Sequence, residues 1–319
     1  MDASAAYVSK AEFLAARVVI GGRLHRTPIM HSTYLSTLSH LQVYLKLELF
    51  QKTGSFKPRG VLNNLHHLSD ADKRAGVISL SAGNHAQALA WAAAQIGVSA
   101  TIVMPATAVQ SKVDATRGYG GEVIQTSAPL MDTMLEIQKA RGLTLVHPFD
   151  HLMTIAGAGT VGMEIIEDMP ECDVIVVGCG GGGLLSGIAA YAGQTRTATR
   201  VIGVEPEGAY KMGPSLAAGY PVPPERLNTI ADGLAAPFVG GHNLAHVQRY
   251  VDRMVKVTDD QIVAAMRVLI ERCKITPEPA AAAGVAALMN EQLGVEAGAT
   301  VCCVISGGNV DREKLKLLL

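Results

Sequence analysis

The sequence predicts an α/β protein made of two doubly wound open-sheet lobes. Three observations carry the prediction. Short runs rich in β-branched residues alternate with helical stretches along most of the chain. These runs are apolar on both faces, the pattern of strands in a parallel sheet covered by helices. And 319 residues, 49% hydrophobic and 17% charged, suffice for a large buried core shared between two lobes.

The elements follow in chain order. "SKAE" is a capping box, with Ser9 the cap and Glu12 three residues on, so a helix starts there. "QVYLKLE" alternates and places Val43, Leu45 and Leu47 on one face of a half-buried strand. A first strand–helix series comprises "GVISLS", a helix from Asn84 to Gln95, "SATIVMP", a helix from Gln110 to Arg117, "GEVIQT", a helix from Met131 to Ala140, and "LTLVHP". A second begins near Thr160, with a helix from Met163 to Asp168, "CDVIVVG", a helix from Leu184 to Ala192, and "TRVIGVE". The stretch from Gly208 to His246 is rich in Gly and Pro and is expected to form a mostly irregular wall around a site. "RMVKVTDDQIVAAMRVLIERC" is a strand and then a helix, with a second capping box at Thr258 and Gln261. "GATVCCVISGGN" is a last buried strand, whose neighbouring Cys302 and Cys303 point to opposite sides. No linker or short repeat separates the lobes, so a large interface between them is expected.

Bulk properties narrow the function. A net charge of −1 gives no electrostatic case for nucleic acid or an acidic membrane. The longest small-apolar run, "AQALAWAAAQIG", is too short to span a bilayer. The five cysteines are scattered and lack zinc-site spacing, which suggests a reducing compartment and hence the cytoplasm. The N-terminus has an early Asp2, a Lys10 and a Glu12, without a basic start and apolar core, so no signal peptide is expected.

"VVGCGGGGLLSG" places five glycines between a strand and a helix, an anion-binding nest with phosphate as its natural guest. Gly178, Gly180 and Gly183 also satisfy the dinucleotide fingerprint, with Glu205 at the end of the next strand placed for a ribose. Taken alone, this segment supports an NAD-dependent oxidoreductase. "SLSAGNHAQA" offers Ser81, Gly83 and Asn84 to a second anion such as a carboxylate, and "SGGN" ends the last strand. Ligands of open α/β sheets bind beyond the carboxyl ends of the strands, so these loops converge on one cleft. Lys57, in "QKTGSFKPRG", supplies an amine there. A phosphate nest, a carboxylate loop and a lysine together point to pyridoxal phosphate, whose aldehyde needs an amine.

These motifs, from "RTPIMHSTYL" to "SGGNVD", resemble the serine/threonine dehydratase family of fold-type II pyridoxal-phosphate enzymes, which includes threonine ammonia-lyases and serine racemases. The resemblance implies the tryptophan synthase β-like architecture. It implies a large cofactor-binding domain from 1–49 and 148–319 and a small, mobile substrate-binding domain from 50–147. It makes Lys57 the cofactor-holding catalytic lysine, with Phe56 against the cofactor and Asn84 on its phenolic oxygen. Gly180, Gly181, Gly182, Gly183 and Leu184 cradle the phosphate, and Ser306 faces the pyridine nitrogen. Gly233, in "IADGLA", and Glu278, in "TPEPAAA", line the cofactor pocket. Ser81, Ala82, Gly83, Asn84 and His85 hold the substrate. Pro58, Arg59 and Gly60 after the lysine are closer to the dehydratases than to the sulfhydrylases and threonine synthases. Racemases of this family have a serine where this chain has Ala82, which favours elimination over racemisation. Glu205 matches the first ligand of a divalent-cation site in some relatives, but Lys211 stands where a second acid is expected, so no metal is predicted there. "IAGAGT" has Ala158 where the family often has glutamine, and "TPEPAAA" has Pro277 and Ala281 for an apolar residue and a glycine. The chain resembles the short forms without a regulatory C-terminal domain. The implied activity is loss of water from an L-3-hydroxy amino acid such as L-threonine or L-serine, in a homodimer. Racemisation and hydroxyaspartate ammonia-lyase activity are the alternatives on the same scaffold.

Overall fold

Ten strands form two sheets among the described residues, 7–319 of this computed structural model. In chain order they are β1 (Ile29–His31), β2 (Gln42–Leu47), β3 (Val77–Leu80), β4 (Ala100–Pro105), β5 (Glu122–Thr126), β6 (Thr144–Leu145), β7 (Val174–Gly178), β8 (Arg200–Pro206), β9 (Arg253–Val257) and β10 (Thr300–Ile305). The larger sheet has the order β1-β2-β10-β7-β8-β9, and the smaller the order β5-β4-β3-β6. Every pair is parallel except the edge pair β1 and β2. The N-terminal strand β2 therefore pairs with the last strand, β10, so that the larger sheet closes the chain on itself. The start of the N-terminal segment read above for a leader, residues 1–6, lies outside the described residues.

The parallel strands alternate between two buried faces. Val176, Val204 and Cys303 enter one core, while Ile175, Val177 and Cys302 enter the other. Cys302 and Cys303 thus point to opposite sides, as expected. In the smaller sheet Val77 and Ile102 face one core and Ile78 and Val103 the other. Both capping boxes are present, at Ser9 with Glu12 and at Thr258 with Gln261.

Other expectations need correction. The helix expected through Met163 to Asp168 starts earlier and spans Leu152–Asp168, its first half made of apolar and small residues with no polar face to show the helical period. Helix Pro279–Met289 is buried all round for the same reason. The stretch from Gly208 to His246 is only partly irregular. It holds helix Met212–Ala218 and the first turns of helix Gly241–Tyr250. Asp150 caps the second of these, accepting from Gly241 N at 2.9 Å and His242 N at 3.0 Å. That partner is 91 residues away, so no local signal announces it.

Helix Lys57–His66 packs on helix Leu152–Asp168 with the two backbones almost touching. A Cβ on Gly60 would lie 2.8 Å from Thr154 O, and one on Gly157 would collide with Arg59 O. Beneath this contact lies a buried ionic cluster. Arg59 Nε and Nη2 donate to the two oxygens of Glu48 at 2.8 Å each. Its Nη1 donates to Glu164 Oε1 at 2.7 Å and Nη2 to Glu164 Oε2 at 3.0 Å. Lys46 Nζ completes the cluster, donating to Glu164 Oε2 at 2.6 Å and Thr27 O at 2.7 Å. Arg59, Lys46 and Glu48 are fully buried. Burial works against the Arg59 charge, but the Glu48 and Glu164 carboxylates outweigh it and raise its pKa. Two positive and two negative groups balance, so no net charge is buried.

Removing one member would leave an uncompensated charge. Arg59→Ala is expected to cost about 3–5 kcal/mol of folding stability. Arg59→Lys, which keeps the charge and loses the bidentate fork, should cost less. Urea unfolding of the three proteins by circular dichroism checks the order wild type, Lys variant, Ala variant.

Candidate active site

Four loops follow the carboxyl ends of parallel strands and meet at one cavity of about 480 Å³. They are the segment after β2 that leads to Lys57, the Ser81 to Asn84 turn after β3, the glycine run after β7 and the Ser306 turn after β10. Parallel strands all end on the same side of a sheet, and this is why residues so far apart in sequence converge. The cavity is lined by every site residue expected from the sequence: Phe56, Lys57, Ser81, Ala82, Gly83, Asn84, His85, Gly180, Gly181, Gly182, Gly183, Leu184, Gly233, Glu278 and Ser306.

Lys57 opens helix Lys57–His66, and Ser55 forms a bridge with Gly307 just before it. Phe56 N donates to Ser306 O at 3.0 Å, so the lysine segment is tied to the end of β10. The amine Nζ donates to Pro148 O at 2.9 Å and lies 5.2 Å from the Phe56 ring centre. Burial pulls the Lys57 pKa down to about 8, partly opposed by the Glu278 carboxylate.

The Asn84 amide is oriented from both ends. It donates to Glu278 Oε1 at 2.7 Å, and its oxygen accepts from Asn309 Nδ2 at 2.8 Å. Asn309 also reaches Thr53 O at 2.7 Å. Burial, followed by the negative charge of Asp232, pushes Glu278 up to about 7. His85 is held by Ser79, whose hydroxyl donates to Val146 O at 2.8 Å and is 3.0 Å from His85 Nε2. A hydroxyl that donates to a carbonyl must accept from the ring, so Nε2 carries the hydrogen. Burial, and then the Lys57 charge, lowers the His85 pKa to about 3, which leaves the ring neutral.

The glycine run turns sharply at Gly182, whose φ of +103° suits glycine. A Cβ on Gly181 would strike the Phe149 ring. Asn243 secures the turn by donating to Gly181 O at 2.9 Å and Phe149 O at 3.2 Å. The N–H groups of Gly181, Gly182 and Gly183 meet no acceptor among the described residues, and helix Gly183–Thr195 adds its positive end. The cavity's residues fit pyridoxal phosphate: open amides for the phosphate, an amine for the aldehyde, an amide side chain and a serine for the ring.

At the cavity mouth Asp232 is paired with Lys112 at 3.2 Å and with Lys314 at 3.4 Å. Lys112 belongs to helix Gln110–Gly118, which packs on the smaller sheet, so this pairing joins the two halves of the structure.

Sequence reasoning missed Pro148, Phe149, Asn243, Asp232, Lys112 and the support given by Asn309. Asn309 stood in the quoted "SGGN", Asp232 in "IADGLA" and Pro148 at the end of "LTLVHP"; Phe149, Asn243 and Lys112 lie in no quoted motif. The nicotinamide reading fails on Glu205, which was placed for a ribose. It is fully buried, its carboxylate accepts from Met212 N at 3.0 Å, and it pairs with Lys211. It does not line the cavity.

Comparison with known proteins agrees with the geometry. The family model for pyridoxal-phosphate dependent enzymes matches residues 21–307. The L-threonine ammonia-lyase of Thermotoga maritima is 43% identical over 291 residues, covering 90% of this chain and 72% of the relative. The catabolic L-threonine dehydratase of Staphylococcus aureus is 39% identical over 314 residues, covering 97% and 91%. The solved structure of maize serine racemase superposes with a TM-score of 0.92 at 38% identity, covering 98% of this chain and 96% of that one. The amine, the glycine cradle and these matches together show that the chain belongs to the fold-type II pyridoxal-phosphate dependent enzymes, in the group of the serine/threonine dehydratases.

Proposed function

We propose that this protein is an ammonia-lyase that removes water from a small L-3-hydroxy amino acid such as L-threonine or L-serine, giving a 2-oxo acid and ammonia. The observation that carries the proposal is an enclosed amine that no carboxylate pairs, Lys57 Nζ, in one cavity with the open amides of the glycine run. The relatives named threonine ammonia-lyase and threonine dehydratase support it.

Each residue has a task in this reading. The amides of Gly180, Gly181, Gly182, Gly183 and Leu184 bind the phosphate. Phe56 and Gly233 confine the ring, and Asn84, oriented by Glu278 and Asn309, binds its phenolic oxygen. Ser81 N is taken by Val103 O at 3.2 Å and Gly83 N by Ser81 Oγ at 3.2 Å, so the Ser81 hydroxyl and the N–H groups of Asn84 and His85 at the helix start hold the substrate carboxylate, and the neutral His85 ring adds no competing charge. Bound there, pyridoxal phosphate supplies an electron sink for negative charge at the substrate Cα. Lys57 Nζ holds the cofactor and, once free, takes the Cα proton. Burial, which lowers its pKa to about 8, makes this amine give up its proton more readily than an ordinary lysine. Ser306 offers the ring nitrogen a neutral hydroxyl and holds no full charge there, which suits prompt loss of hydroxide. The enamine that leaves tautomerises and hydrolyses to the 2-oxo acid and ammonia.

Two features select the reaction and substrate. Ala82 carries no exchangeable proton, so only Lys57 exchanges one at Cα, which favours elimination over racemisation. Lys112 is already paired with Asp232 at the mouth, so it does not await a second substrate carboxylate. A small neutral side chain therefore suits the cavity better than hydroxyaspartate. The small mobile domain of residues 50–147, the homodimer and the cytoplasmic location belong to the same reading. The separate four-stranded sheet within 77–145 supports the domain division.

Three outcomes are expected. Borohydride treatment of the loaded protein should fix the cofactor on the peptide containing Lys57, and Lys57→Ala should fold normally but release no 2-oxo acid from serine or threonine; label on another lysine would refute the assignment. In cofactor-free protein, acylation of Lys57 followed by mass spectrometry should rise with pH around a midpoint near 8, because the amine is protonated and unreactive below it and neutral above it. Chiral chromatography should find no interconversion of L- and D-serine by the wild type and measurable interconversion by Ala82→Ser.

A further inference from the structure

The chain leaves β6 and enters helix Leu152–Asp168 through a turn at residues 147–150. The last three residues of that turn all serve the cavity. Pro148 O accepts from the Lys57 amine at 2.9 Å. The Phe149 ring lines the cavity, where a Cβ on Gly181 would strike it, and Phe149 O shares the Asn243 amide with Gly181 O. Asp150 caps helix Gly241–Tyr250, which carries Asn243. The first residue, the half-buried His147, folds the turn. Its Nδ1 accepts from Asp150 N at 2.8 Å and from Phe149 N at 3.3 Å. A side-chain acceptor for the N–H groups two and three residues on is the bonding with which asparagine and aspartate build turns. Here the acceptor belongs to an aromatic ring, edge-to-face with Phe149 at 4.7 Å between centres and 5.9 Å from Phe238.

We propose that His147 is a positioning residue for the cofactor seat: its bare Nδ1 folds the turn that fixes both the acceptor of the Lys57 amine and the brace of the glycine run. Both N–H groups need the Nδ1 lone pair, so the neutral ring carries its hydrogen on Nε2. A further proton would sit on Nδ1 and face two donors. Burial lowers the His147 pKa; the Asp150 carboxylate opposes this, and Lys57 and His151 add to it. His85, the other titratable neighbour, is neutral. The turn is therefore intact at neutral pH and loses its two bonds as pH falls below the ordinary histidine range. The inference rests on the reading of Lys57 and the glycine run as the cofactor seat and is indifferent to the substrate.

The test is equilibrium dialysis of the cofactor-free full chain against pyridoxal phosphate, for wild type, His147→Asn and His147→Phe. Asparagine supplies the acceptor without the ring, and phenylalanine the ring without the acceptor. Near neutral pH, His147→Asn should bind within about threefold of the wild type and His147→Phe at least about tenfold more weakly, for the loss of two hydrogen bonds. On acidification from about pH 7.5 to about pH 5, where histidines titrate, the wild type should lose affinity relative to His147→Asn, whose amide takes no proton. Ionisation of the cofactor and of Lys57 is common to both proteins and cancels in that ratio. A His147→Phe protein that binds as tightly as the wild type would overturn the proposal, as would a His147→Asn protein that binds as weakly as His147→Phe, or a ratio that does not change with pH. The ratio decides alone if His147→Phe does not fold. Borohydride labelling of Lys57 in the wild type checks the seat itself, so a failure of that reading is distinct from a failure here.

Discussion

The seat of the reactive amine depends on the buried cluster of Arg59, Glu48, Glu164 and Lys46. Its members come from β2, from the turn after β2, from the lysine helix and from helix Leu152–Asp168. It therefore fixes three otherwise separate pieces of chain around Lys57, two residues from Arg59. Such clusters seldom add net stability, because desolvation consumes most of the Coulomb gain. Their value is geometric: a bidentate fork on one carboxylate and two bonds to another allow one arrangement only. The glycine contact above the cluster works in the same direction. With no side chain between the helices, the position of the lysine is set by backbone against backbone.

Around that fixed amine, the site is built from strand ends. Each loop is short and follows a buried parallel strand, so its position is inherited from the sheet. The two sheets contribute unequally: the smaller supplies Ser81 to His85, and the larger the Lys57 segment, the glycine run and Ser306, while Glu278 comes from the start of helix Pro279–Met289. Asn84, bonded to Glu278 and Asn309, is where the contributions meet.

This division explains what was legible in the sequence. Lys57, Asn84, the glycines and Ser306 could be found because each lies in a contiguous string with unusual local chemistry at the end of a strand. Arg59 stood in the same string as Lys57, yet its role did not show, since its partner Glu164 is 105 residues away. Lys46 looked like the polar position of an alternating strand, and its partner lies 118 residues on. The segment from Gly208 to His246 was misjudged because its second helix is capped from outside by Asp150. Glu205 matched a fingerprint by spacing, and only the fold showed that its carboxylate faces Lys211 and the amides of the next turn instead of the cleft.

The pairing of Asp232 with Lys112 and Lys314 differs in kind from the cluster under Lys57. The side chain of Asp232 is half exposed, and Lys112 and Lys314 are also in contact with water. Salt screens such exposed pairs and leaves buried ones almost untouched. The two halves of the protein are thus joined by a seam with a dry end and a wet end. Ionic strength acts on the wet end and leaves the dry end, where the amine sits, almost untouched.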